Sequence, residues 1–471
     1  MLMLLVAMVA LFTLMTAGRW RSGIALMIVL AAVQDPIRKL TPETPGWMTL
    51  ATTPVFAALI VMSLLRTRRW WSAFRDQYRA ISRQLRILAV LCVPAALISA
   101  TYSAGSWMLT LIGAFSYSVI FLALVAAFHQ LRHVNDLRRL LAWYCVVHGI
   151  AISGAMLEYS GALPHWAVLG DDALGFNWVR MHAGYTVNIV SGFYRSGDVL
   201  GWHAATVCML SLVLAQTGHG TRRWGWLMLA AWAAVALILC GRRKMVFLVP
   251  VFLLAAIWIY WQAGRATKAW SLLLLFALPA ASVYLAGDLL DEESNQLRYY
   301  SETSYQTLDS LETHGFASLA DTYRQSGFFG EGLGTATPGS HHVKVDRPRV
   351  WQESGTSRVL VELGVPGALG LGSVMIALGL ALFGVVQQNL RSRNLGAHYG
   401  AGMFACFVAN IGSLVVSGQI LADPFIASFL GVLAGLTLSL ARPELQGGES
   451  RTLAHQRAVV AAARRLSGRG Y

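Results

Sequence analysis

The stretch Trp107-Met-Leu-Thr-Leu-Ile-Gly-Ala-Phe-Ser-Tyr-Ser-Val-Ile-Phe-Leu-Ala-Leu-Val-Ala-Ala-Phe128 carries no charged side chain. At about 1.5 Å per residue, a helix of this length crosses the ~30 Å hydrocarbon core of a bilayer. Lipid offers no partner to backbone N–H and C=O groups, so such a run is helical. Similar runs recur near 1–18, 22–34, 48–65, 87–104, 139–158, 197–216, 223–240, 244–262, 269–287, 357–388, 397–417 and 420–440. They predict an all-α polytopic membrane protein of about 11–13 transmembrane helices. No repeat and no Pro- or Ser-rich linker divides the chain, so 1–471 reads as a single membrane domain.

Composition agrees. The chain is 56% hydrophobic and 13% charged, against about 25% charged in a soluble domain. The net charge of +14 does not point to nucleic acid, because Lys and Arg cluster in short loops between apolar runs. Charge in that position orients helices. Cys92, Cys145, Cys208, Cys240 and Cys406 lie in or beside apolar segments without CxxC spacing, which excludes a cysteine metal site or disulfide framework. No motif asks for a cofactor. The first 18 residues lack a basic start and a small-residue cleavage site, and read as a retained helix.

The arginine-rich loops lie on one side if the helices alternate. They include Arg66, Arg68, Arg69, Arg75, Arg79, Arg83 and Arg86, then Arg132, Arg138 and Arg139, then Arg222, Arg223, Arg265, Lys268, Arg391 and Arg393. That side is expected to be cytoplasmic, together with a basic tail over 441–471. Segments 35–47, 159–196, 241–243, 288–356 and 418–424 are then extracytoplasmic. Within 72–88 the spacing of Arg75, Arg79 and Arg83 opposite Phe74, Tyr78, Ile81, Leu85 and Leu88 suits a helix lying on anionic membrane lipids. A solvated connecting helix is the plainer alternative. Tryptophans near segment ends (Trp20, Trp47, Trp70, Trp71, Trp107, Trp224, Trp270) read as interfacial anchors.

The polar stretch from Asp288 to Arg358 is the longest that does not fit a membrane, and the 288–356 loop is the first place to seek chemistry. It contains Asp291-Glu292-Glu293, Gly330-Glu-Gly332-Leu-Gly334, His341-His342 and Glu353. The glycine turn lacks the lysine and the strand–loop–helix setting of a phosphate loop, and reads as a flexible turn. Adjacent histidines point apart and rarely share a metal, and no ligand partner is suitably spaced. A general base is the functional reading for His341, His342 or Glu353, and plain loop solvation is the alternative. Arg358 and Glu362 have the spacing of an intrahelical ion pair.

Two cationic sites break the orientation rule: Cys240-Gly241-Arg242-Arg243-Lys244, and Tyr194-Arg195-Ser-Gly-Asp198. Charge beside hydrocarbon is costly unless paired or used. An arginine fork binds phosphate oxygens in bidentate fashion. Arg195, Arg242 and Arg243 on one face therefore suit a lipid-linked phosphate or diphosphate, with snorkelling or pairing to the acidic loop as the alternative.

These elements, in this order, resemble the bacterial O-antigen ligase and O-antigen polymerase superfamily over roughly 190–440. Arg195-Ser-Gly197 is similar to its Arg-x-x-Gly element, and Gly241-Arg242 to its Ser-Arg element with glycine for serine. Gly330–Gly334 is similar to the Gly-x-Gly turn of its large periplasmic loop. Val361-Glu362-Leu363-Gly364-Val365-Pro366-Gly367 is similar to the Glu-x-Gly-x-x-Gly start of the next helix. The family's histidine, nine or ten residues before that glutamate, is replaced here by Gln352-Glu353.

The resemblance implies a metal-independent inverting glycosyltransferase of the bacterial inner membrane, with its active site facing the periplasm. Its partners would be an undecaprenyl-diphosphate-linked glycan and an acceptor glycan or lipid A-core. The arginines would hold the diphosphate and stabilise the leaving group, while a base deprotonates the acceptor hydroxyl. Polymerase is the leading expectation, ligase the alternative. A transporter of lipid-linked glycan is the competing class, for which broken helices or ions buried in mid-membrane are expected, with Asp198 and His203 pointing that way. A structural subunit of a secretion complex is the third.

Overall fold

A computed structural model describes residues 1–43, 45–163, 179–182, 185–271, 299–300, 302, 318–340, 343, 352, 354–394, 396–415, 417–442 and 445. Among them, nine helices are long and apolar enough to cross a membrane, and Leu2–Gly18 and Pro424–Ser439 are shorter apolar helices. The chain is an all-α polytopic membrane protein. An antiparallel hairpin, Val179–His182 with Tyr185–Asn188, adds strand structure that hydropathy does not announce.

The Gly197–Thr217 helix runs through the middle of the bundle with nearly every residue buried. It packs on Thr221–Leu239, Val134–Ala151 and Ala397–Leu414. Beside it, Pro424–Ser439 lies close against Trp107–Phe128. The reason is a pair of glycines one turn apart. A Cβ on Gly431 would sit 2.1 Å from the Ile120 carbonyl oxygen, and one on Gly435 2.2 Å from that of Leu124. Lipid tails are as apolar as leucine, so helices in a bilayer associate by close packing, which small residues permit.

Several boundaries differ from the hydropathy reading. The second helix does not stop at Asp35-Pro36. It runs Gly23–Lys39, with Pro36 in its last turn. A proline there forfeits one N–H without stopping the helix, and Asp35 and Arg38 remain buried because the protein supplies their surroundings. The 72–88 segment is no single surface helix. It breaks at Tyr78 (φ −123°, ψ 61°) into Trp70–Gln77 and Arg79–Leu91, and the second piece enters the Arg79–Ala100 span. Its apolar stripe rests on protein: Phe74 packs edge-on to Phe128 at 5.5 Å, and the Tyr78 hydroxyl donates to Leu438 O at 2.7 Å. Arg75, Arg79 and Arg83 stay exposed. Trp47, Trp107, Trp224 and Trp270 are exposed as anchors should be, whereas Trp20 and Trp70 are buried. The expected helix at 269–287, from residue 272 on, and nearly all of the 441–471 tail lie outside the described residues.

The long helix Gly355–Arg391 is broken at Gly364, whose φ of 65° and ψ of −173° are not helical. Hydropathy at 357–388 reads as one long rod, and the break is set by Gly364 and by Pro366, which has no N–H to give.

Candidate functional site

At one end of the bundle the C-terminus of Gly23–Lys39 and the starts of Gly197–Thr217 and Pro424–Ser439 converge on Arg195. Its guanidinium donates to Asp423 Oδ2 and lies 3.9 Å from Asp35 Oδ1. Its backbone N–H donates to Asp35 Oδ2 at 3.1 Å. Asp423 also caps its helix, accepting from Ile426 N at 3.0 Å. Burial disfavours the Arg195 charge, but Asp423 and Asp35 outweigh it and hold the pKa above the ordinary arginine value. The approach to Arg195 is fixed by Lys39, which donates to Ser191 Oγ and Gly192 O at 2.8 Å each, and by Glu158, which accepts from the Ser191 and Gly192 amides.

The second cationic site abuts the first. The glycine at 197 brings the start of its helix against the Cys240 carbonyl, where a Cβ would come within 2.9 Å. The chain then turns at Gly241 into the short helix Arg243–Val246, with Arg242 as its N-cap. Arg242 Nε lies 3.5 Å from Asp198 Oδ2, and Lys244 Nζ lies 3.1 Å from Asp198 Oδ1. One carboxylate thus faces two cations. The Arg243 guanidinium stands 5.2 Å from the Tyr299 ring. The sequence-predicted arginines at 195, 242 and 243 do come to one end of the bundle, but differently equipped: Arg195 faces two carboxylates, while Arg242 and Lys244 divide one.

The glycine turn of the large loop is not flexible. It threads between the broken helix and the Val93–Ala100 and Trp107–Phe128 helices. The break at Gly364 exchanges hydrogen bonds with it: Glu331 N donates to Val361 O at 2.6 Å, and Val365 N to Phe328 O at 2.8 Å. A Cβ on Gly330 would lie 2.6 Å from Gly364 N, and one on Gly364 would lie 2.4 Å from the Phe329 carbonyl carbon. Leu333 N donates to Ala95 O at 3.0 Å, and the Tyr102 hydroxyl to Glu331 O.

Beneath this turn Arg358 and Glu362 form the expected intrahelical pair, Nε to Oε1 3.7 Å, with both side chains buried. Glu362 Oε1 also accepts from Ala336 N at 2.9 Å and Thr337 Oγ1 at 2.7 Å. Arg358 donates to Thr337 Oγ1 at 2.6 Å and Ser116 Oγ at 3.0 Å. The pair locks the glycine turn onto the helix, a role its local spacing does not reveal.

A further group escaped the sequence reading almost entirely. His148 Nδ1 and the Tyr194 hydroxyl are 2.9 Å apart, as are the Tyr144 hydroxyl and His203 Nδ1. The two imidazoles stack at 4.0 Å between their ring centres, with Phe425 beside them. All are buried; Tyr144, His148 and His203 lie within spans, and Tyr194 precedes one and adjoins Arg195 in the chain. The signal was present as a histidine inside an apolar helix, one turn from a tyrosine.

His341, His342 and Glu353 lie outside the described residues, as do Asp291, Glu292 and Glu293. The neighbouring anchors are described: Ser354 caps the helix by accepting from Ser357 N at 3.0 Å, and Ser318 bonds Ser357 at 2.8 Å, fixing the helix Ser318–Ser326 to this entrance.

No protein-family model matches the chain. No curated protein matches it either.

Proposed function

We propose that the protein is a membrane glycosyltransferase that polymerises undecaprenyl-diphosphate-linked oligosaccharides at the extracytoplasmic face of the bacterial inner membrane. The observation that carries this reading is the cationic set Arg242, Arg243 and Lys244 beside Arg195, with Asp198 facing both Arg242 and Lys244. Cations gathered at the end of a membrane bundle suit a diphosphate at headgroup depth. In the reaction these donors neutralise charge developing on the leaving diphosphate. Arg195, held between Asp423 and Asp35, serves to fix the Gly197–Thr217 helix end so that Asp198 and Arg242 meet. A base drawn from His341, His342 and Glu353 accepts the proton of the acceptor hydroxyl as it attacks the anomeric carbon. The family likeness named above rests on the motifs at 195–197, 241–242, 330–334 and 361–367. Ligation to lipid A-core uses the same chemistry with another acceptor.

The experiment is glycan transfer in proteoliposomes by Arg242→Ala, Lys244→Ala and the wild type. Turnover at the wild-type rate in both variants removes the proposal. Polymer length in a deletion strain separates the two acceptors: lost long chains mean polymerase, lost attachment to lipid A means ligase.

A transporter reading also has a specific observation behind it. Tyr144, His148 and His203 lie inside membrane spans, where ionisable side chains mark ion or proton paths, and Tyr194 joins them from just before a span. The break at Gly364 is the kind of interrupted helix that transporters use. Proton uptake by proteoliposomes that is lost on His148→Ala, with glycan transfer absent in the wild type, favours this second reading.

A further inference from the structure

At the opposite end of the bundle three basic side chains meet. Lys268 Nζ lies 2.9 Å and an Arg265 nitrogen 3.5 Å from the same atom, His398 Nε2. The other ring nitrogen faces the Tyr260 hydroxyl at 2.9 Å, and that hydroxyl donates to Gln216 Oε1 at 2.8 Å. A hydroxyl has one proton, so Tyr260 accepts from His398 Nδ1–H, and Nε2 carries the lone pair. Two full positive charges therefore share one neutral nitrogen. Arg265 has one further acceptor, Leu390 O at 2.7 Å. Among the described residues no carboxylate pairs with Arg265 or Lys268. Burial and then the Arg265 charge push the Lys268 pKa below its ordinary value, as happens when like charges are gathered without a counter-ion.

Beside this cluster, one residue on from Leu390, lies Arg391. It lines a cavity of about 570 Å³ between the ends of Leu248–Gln262 and Gly355–Arg391, together with Gln262, Phe383, Gly384, Gln387, Gln388 and Ser392. Gly384 leaves open space where a side chain would stand. The helices that form this groove carry exposed Trp258, Trp261, Ile376 and Leu380, an apolar surface that continues from it. Cations at the helix ends, a groove that offers Phe383 and Gly384 beside polar Gln262, Gln387, Gln388 and Ser392, and an exposed hydrocarbon-compatible flank form the pattern of a basic headgroup pocket between membrane helices.

We infer that Arg265, Lys268 and Arg391 bind the phosphate of an anionic phospholipid in the leaflet at this end, with its glycerol and upper acyl chain in the groove along Phe383 and Gly384. The site is independent of the reaction proposed at the other end. A free inorganic anion offers the same chemistry without the tail, and the experiment separates the two.

The test is native mass spectrometry and thermal unfolding of the detergent-purified full chain. The probes are phosphatidylglycerol, phosphatidylethanolamine with the same chains, and inorganic phosphate. Each Lys or Arg near a lipid surface contributes about 1 kcal/mol, so Arg265→Gln/Lys268→Gln should weaken phosphatidylglycerol binding about 10–30-fold. Arg222→Gln/Arg223→Gln, an exposed pair elsewhere on the same side, should leave it unchanged. Gly384→Trp, which fills the groove and keeps the cations, should weaken lipid binding without altering the response to phosphate. Unchanged lipid binding in the Arg265/Lys268 variant overturns the site. Equal binding of both lipids, or equal protection by inorganic phosphate, overturns the assignment to an anionic lipid.

Discussion

Arg195 at the start of one membrane helix donates to Asp423, the N-cap of another, across 228 positions of sequence. The contact ties Gly197–Thr217 to Pro424–Ser439, and Asp35 draws Gly23–Lys39 to the same point. Removing one partner of a buried pair costs about 3–5 kcal/mol, because the other charge is stranded. Arg195→Ala and Asp423→Ala are therefore expected to lower the unfolding temperature and membrane yield of the protein. Thermal unfolding in detergent checks this. Wild-type stability in both single variants would mean that the pair is solvated and dispensable.

Arg242 and Lys244 differ from Arg195, since both face the same carboxylate, Asp198. Removing either one leaves Asp198 facing the other cation. Arg242→Ala and Lys244→Ala should unfold within a few degrees of the wild type while transfer falls. Circular dichroism melts run beside the transfer assay test the separation. A large melting shift in either variant would assign these cations to the scaffold.

The base is expected among three residues. Glu353→Gln, His341→Ala and His342→Ala, made separately, should give one loss of about 100–10,000-fold in transfer rate, the usual contribution of general base catalysis. Three variants with near-normal rates would exclude deprotonation by this loop.

Gly364 and Gly330 touch backbone to backbone, so neither has room for a methyl group. Both also hold positive φ, which costs an L-residue about 1–2 kcal/mol. Gly364→Ala and Gly330→Ala should each destabilise the protein by at least that much and release the glycine turn, measured as faster limited proteolysis within 318–340. Unchanged cleavage would show that the turn is held by other contacts.

How much of this was legible follows from distance along the chain. Hydropathy is local, so the apolar runs and the arginine-rich loops could be read directly. The Arg358–Glu362 pair is legible because it spans one helical turn. Its partners Thr337 and Ser116 are not, since nothing local marks them. The same applies to Arg195, whose carboxylates lie 160 and 228 positions away. The glycine turn was recognised as a motif but read as flexible, because its rigidity comes from Val361, Ala95 and Phe328–Val365 contacts that only folding creates. His148 carries one local signal, an imidazole in an apolar helix, but its partners His203 and Tyr194 are distant in the chain.

The proposed hold of Arg242 and its neighbours on a lipid-linked diphosphate is tested most directly by the single-turnover rate of Arg242→Ala in proteoliposomes supplied with an undecaprenyl-diphosphate-linked oligosaccharide. The account predicts a fall of at least about 100-fold, the scale seen when one charge-stabilising donor is removed from a reacting centre, with an unchanged melting curve. A wild-type rate in that variant would contradict it.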